Sequence, residues 1–167
     1  GAPNYQPAAS FGKKLAQLLV KIKGPKSKTK LLTILSLGAF SKSVKNAKTP
    51  IDWLSYNEEN VQEYLNDELC GVPFTDAANR DLFTMVSYLH HSFTAKNTSL
   101  PILFISGEDD PCTGGTLGLV DSISTLQKNG YANIENITFT KMRHEILNEK
   151  ENHLVIEEII KFICQNQ

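Results

Sequence analysis

The stretch LPILFISGEDDPC, residues 100–112, stops an apolar run on Gly107 and then crowds three carboxylates, Glu108, Asp109 and Asp110, into one turn. Further on, NIENITFTKM runs out into RHEILNE and delivers one histidine, His144. A carboxylate that holds one imidazole nitrogen fixes the tautomer and stabilises the imidazolium, leaving the other nitrogen as a general base. That chemistry needs the two side chains to meet, so the elements carrying them must end side by side.

Those elements can be read from the pattern. PILFISG is a continuous apolar run closed by glycine, the mark of a strand buried on both faces and therefore parallel to its neighbours. GTLGLVDSISTLQKNG follows as a helix, with Asn129 and Gly130 as its stop. NIENITFTKM is the next strand. HLVIEEIIKFIC closes the chain as an amphipathic helix expected to turn Val155, Ile156, Ile159, Ile160 and Ile163 inward. Strand, helix, strand, helix is a parallel α/β unit, and in open parallel sheets ligands sit at the carboxyl ends of the strands. Neighbouring strands lie about 4.8 Å apart, so the turn bearing Asp110 and the turn bearing His144 can come into hydrogen-bond range.

The first ninety or so residues read differently. FGKKLAQLLVKI places Phe11, Leu15, Leu18, Leu19 and Ile22 on one helical face. TKLLTILSLGAF, ambiguous in itself, is read as helix from its flanks. SYNEENVQEYLNDE opens on Ser55-x-x-Glu58, a capping-box spacing, and FTDAANRDLFTMVSYLHHSF starts at Thr75 or Asp76 with Leu82, Val86 and Leu89 on one face. Two parallel strands cannot cover both faces and both edges alone, so further strands are expected from elsewhere.

Composition excludes several classes. With 41% hydrophobic and 21% charged residues the 167-residue chain is globular, and a net charge of −1 gives no sign of a nucleic-acid partner. The lysines of KIKGPKSKTK have no interleaved aromatics and read as a solvated loop. Cys70, Cys112 and Cys164 are too few for a disulfide framework and suit a reducing, cytoplasmic setting. No apolar stretch approaches a membrane span. The chain opens GAPNYQPAAS rather than with methionine, so residue 1 is expected to be an internal position of a longer protein.

Taken together, LPILFISGEDDPC, TFTKMRHEILNE and PIDWLSYNEENVQEYLNDELCGVPFT resemble the lysophospholipase and monoacylglycerol lipase branch of the α/β-hydrolase fold, also grouped as serine aminopeptidase S33-like hydrolases. The resemblance spans nearly the whole chain but only the C-terminal part of that family. It implies an entry loop and helical cap over residues 1–97 and the C-terminal βαβα part of the hydrolase core over residues 98–167. It also implies that Asp110 is the acid and His144 the base of a Ser-His-Asp triad acting on a lipid or other ester, with no cofactor and no metal. Asp109 falls one place early and is a loop residue.

One family element is missing. In α/β hydrolases the serine sits on a G-x-S-x-G elbow ahead of the acid and the histidine, and this sequence has none. Ser36 and Ser41 lack the first glycine and a preceding strand, and Ser106 lies inside a strand. The nucleophile is therefore expected outside this chain, in an upstream half of the same protein, so that the chain alone is inactive; a second copy is the other expected partner. Two other readings stay open: a peptidase or short-chain esterase on the same fold, and a non-catalytic module for packing or partner binding. Glu108, Asp109 and Asp110 lack the spacing of a calcium loop. CTGGTLG has no phosphate-loop lysine, and its glycines are expected to turn the loop after Asp110. Cys112 reads as a packed residue, and His90, His91 and His153 as surface histidines.

Overall fold

A computed structural model describes residues 3–167 of the chain. Five helices come first: α1 (Ala9–Lys23), α2 (Lys30–Ser36), α3 (Gly38–Ser41), α4 (Glu58–Asn66) and α5 (Asp76–Tyr88). They are followed by β1 (Ile102–Gly107), α6 (Gly115–Lys128), β2 (Ile134–Phe139) and α7 (Asn152–Gln165). The two strands pair in parallel, in a register that runs from Ile102 opposite Ile134 to Gly107 opposite Phe139. Among the described residues no helix is long and apolar enough to cross a membrane.

Two separate apolar clusters hold these parts. Ala9, Ala16, Leu32 and Phe83 form the first, where α1 and α2 meet α5. Small residues are what let α1 come so close: a Cβ on Gly12 would press into the Phe83 ring. Met142, Ile146 and Val155 form the second, with Ile105 of β1 and Phe139 of β2 against them.

One helix start matches expectation and one does not. Thr75 caps α5, its hydroxyl accepting from the Ala78 N–H, which leaves Asp76 for another task. Its fully buried carboxylate accepts from the Ser27 hydroxyl (2.6 Å), the Thr29 N–H (2.7 Å) and the Thr29 hydroxyl (2.8 Å), tying the lysine-rich loop to α5. Ser55 does not form a capping box. Asn57 caps α4 by accepting from the Glu59 N–H, while the Ser55 hydroxyl donates to Glu149, 94 positions along the chain. The local signal lost because a buried carboxylate is the stronger acceptor.

Three apolar faces are also corrected. On α1, Ala9, Gly12 and Ala16 are buried and Leu15 and Leu19 pack beside them, whereas Phe11, Leu18 and Ile22 face solvent. On α5 the buried apolar side chain is Phe83, with Val86 beside it, and Leu89 is exposed. On α7 only Val155 is fully buried, with Ile159 partly packed; Ile156, Ile160 and Ile163 are exposed. Likewise β1 is only half-buried from Ile102 to Ile105. On α7 and β1 the reason is that a sheet of two strands covers only a narrow strip, whereas α1 and α5 cover one another through small residues and leave the rest of each face open.

Burial alone would raise the Asp76 carboxyl, but its donors from Ser27 and Thr29 outweigh that and hold it below the ordinary aspartate range. Its contribution to stability is therefore present above the unfolded aspartate pKa and is lost as pH falls through the lowered folded value. Asp76→Ala is expected to cost about 1–3 kcal/mol at neutral pH, since it leaves three part-buried donors without their acceptor. Urea denaturation checks this, and the deficit relative to the parent chain should shrink in acid.

Candidate active site

The strand register decides where the chemistry lies. Gly107 and Phe139 are opposite one another at the carboxyl ends, and both chains leave the sheet there. The departing segments stay paired for two more residues, with Glu108 N–H donating to the Phe139 carbonyl (2.9 Å) and Asp109 N–H to the Met142 carbonyl (3.1 Å). Gly107 is what permits this. A Cβ there would lie well inside van der Waals contact of the Met142 and Arg143 carbonyl oxygens.

Asp110 then turns into a 3-10 turn (Pro111–Thr113), and its carboxylate caps that turn by accepting from the Cys112 N–H at 2.8 Å. The Thr113 hydroxyl donates back to the Asp110 carbonyl. Gly114, at φ 72°, carries the chain through the left-handed region into α6, a conformation that favours glycine. The side chain of Asp110 has no exposed surface.

His144 Nδ1 lies 3.1 Å from each oxygen of that carboxylate. Burial would raise the Asp110 carboxyl, but the His144 hydrogen bond, the charge of His144 and the Cys112 N–H together hold it below the ordinary range. The ionised carboxylate is thus an acceptor only, so Nδ1 carries a proton and donates it, and in the neutral form of such a ring the lone pair is left on Nε2. About a third of the His144 side chain is exposed. A buried anion oriented on one side of a part-exposed imidazole is an arrangement that can serve as a general base with its tautomer fixed.

Other side chains complete the setting, and sequence reasoning passed over them. Trp53 packs against the imidazole with ring centroids 5.1 Å apart, and Phe40 of α3 packs against Trp53 at 5.0 Å. The Tyr56 hydroxyl donates to Asp109 (2.8 Å), a contact that, ahead of burial, pushes the phenol pKa up. Arg143 lays its guanidinium 3.8 Å over the Tyr56 ring and donates to the carbonyls of Asp52 (2.5 Å) and Ser55 (3.2 Å). The signal was in DWLSY and RHEILNE, but only as text; nothing in the spacing says that these two segments touch.

The remaining candidates separate from the site. Ser36 and Ser41 donate to the carbonyls of Thr33 and Pro50, and Ser106 is buried in β1. His90 pairs with Asp121 and stacks on Tyr5, His91 meets the edge of Tyr88, and His153 lies near Glu151. The Cys112 sulfur lies within 4.8 Å of Asp110 and His144, a donor set that can hold a metal. However, burial and then the Asp110 charge push its thiol up to about 12, and Asp110 and His144 are already joined to each other. A protonated thiol is a poor ligand.

The serine aminopeptidase, S33, family matches residues 1–151. Among solved structures, a thermostable carboxyl esterase from Bacillus coagulans is 22% identical, with a TM-score of 0.79 over 98% of this chain and 54% of its own. A lipase captured in its open form is 19% identical, TM-score 0.77, over 98% and 55%. A monoacylglycerol lipase from Paleococcus ferrophilus is 21% identical, TM-score 0.65, over 100% and 56%. The chain therefore has the α/β-hydrolase fold and spans just over half the length of these structures. No curated protein is significantly similar to it.

The glycine at the end of β1 gives a direct test. Gly107→Ala must push the segment at 142–143 off the strand end, and a clash of that kind costs about 1–3 kcal/mol or more. The expected result is a lower denaturation midpoint and loss of the Nδ1–carboxylate contact, read from a crystal structure or from imidazole nitrogen shifts.

Proposed function

The chain belongs to the serine aminopeptidase S33 family, and on that premise we propose that it is the cap and C-terminal half of a carboxylic ester hydrolase working by a Ser-His-Asp mechanism. The observation that carries the reading is the placement of His144 Nδ1 at 3.1 Å from both oxygens of buried Asp110. A serine from an upstream half would attack the ester carbonyl. His144 Nε2 takes the hydroxyl proton and returns it to the leaving alkoxide, then activates the water that releases the acid. Asp110 remains ionised throughout and stabilises the imidazolium.

Residues 1–97 act as entry segment and cap, and residues 98–167 as the C-terminal part of the core. The proposed substrate is a lysophospholipid or monoacylglycerol, since Trp53 beside the imidazole, with Phe40 packed behind it, suits an acyl chain rather than a charged group. The relatives' descriptions as carboxyl esterase and monoacylglycerol lipase agree with an ester. The upstream half would supply the strands that flank β1 and β2 and would cover Leu117, Val120, Ile156 and Ile160, all exposed here.

Three measurements test this reading. A serine-directed fluorophosphonate should leave the 167-residue chain unlabelled, whereas in a longer form His144→Ala should lower kcat by roughly 10⁶-fold; stoichiometric labelling here, or turnover in that variant, counts against it. Light scattering on the isolated chain should show association through the uncovered apolar surface, and a stable dilute monomer with a cooperative melt would argue for a self-sufficient module.

A further inference from the structure

Glu149 is a carboxylate with nowhere obvious to be. It is 4% exposed, and four uncharged donors converge on it. The Ser55 hydroxyl donates to Oε2 at 2.8 Å, the Tyr56 N–H lies 3.0 Å from both oxygens, the Asn57 N–H donates to Oε2 at 3.2 Å and the Arg143 N–H to Oε1 at 2.9 Å. Three of these donors belong to residues 55–57, just after the 3-10 turn Asp52–Leu54. The fourth is the residue immediately before His144. Burying a carboxylate is costly unless its acceptor sites are filled, and here the donors that fill them fix one segment to the other.

The residue immediately after His144 is held by the same segment: the Glu145 N–H donates to the Leu54 carbonyl at 2.7 Å. The backbone on both sides of His144 is thus fastened to residues 54–57, while Trp53 of that stretch packs on the imidazole ring. Tyr56 extends the same frame to Asp109, the neighbour of the acid. An imidazole that must accept a proton within a narrow range of positions needs such fixing, since a displacement of about 1 Å can cost 10²-fold in rate.

We propose that Glu149 is the positioning residue for His144: by joining the Arg143 N–H to residues 55–57 it holds the imidazole in the Nδ1–H tautomer against Asp110. A glutamine cannot replace it, because its amide group offers one acceptor oxygen and turns an NH₂ toward donors. The role in catalysis rests on the ester-hydrolase reading; the effect on the tautomer does not.

The test uses ¹⁵N shifts of the His144 ring nitrogens in the 167-residue chain, assigned by comparison with His144→Asn, at a pH where the ring is neutral. The parent chain should show Nδ1–H, and Glu149→Gln, with its circular dichroism unchanged, should redistribute toward Nε2–H. A folded Glu149→Gln that keeps the parent tautomer overturns the proposal. If that variant does not fold, Ser55→Ala, which removes a single donor, decides the matter: a partial redistribution supports the role, and an unchanged spectrum overturns it. In the complete protein Glu149→Gln should lower kcat by ~10²-fold with KM within about twofold. A complete parent protein with no esterase activity would instead overturn the functional reading and leave the tautomer result standing.

Discussion

The parallel pairing of β1 with β2, in a register that sets Gly107 opposite Phe139, is the constraint from which the site follows. Two chains that leave a sheet at the same end, one strand spacing apart, are obliged to run side by side. What each carries in its next few residues is then brought together without any further device. Antiparallel pairing or a shifted register would send Asp110 and His144 to different places. The absence of a side chain at Gly107 lets this proximity persist past the last strand residue, so that the loops are extensions of the ladder rather than free turns.

How much of this could be read from the sequence follows from the range of the forces involved. β1, α6, β2 and α7 are written in local patterns of apolar residues and glycine, and the structure places them where those patterns end. Asp110 and His144 were legible for the same reason, as residues one turn beyond strands. Ser55 was misread because a capping box is a local spacing, and the competitor for its hydroxyl lies 94 positions away. Glu149 stood in plain view within RHEILNE, yet a lone glutamate in a loop carries no local sign that four donors will close on it. The apolar faces of α1 and α7 were misjudged on a different ground. Periodicity shows which residues can be buried together, whereas the partner surface decides how many of them are.

The helical first part of the chain is fastened by polar contacts as well as by packing. Asp76 ties the lysine loop to α5, and the Glu149 frame ties residues 54–57 to the turn that carries His144. Between them, α1 lies against α5 through small residues. Residues 54–57 and the turn that carries His144 are therefore held by one set of backbone contacts.

Trp53 is the single tryptophan in the chain, and its ring lies 5.1 Å from that of His144. Its emission consequently comes from one place, and a cationic imidazole at that range draws electrons from an excited indole. The protein carries its own optical probe: light selected for indole reports the charge and the presence of one imidazole, against a background from which every other part of the fold is silent.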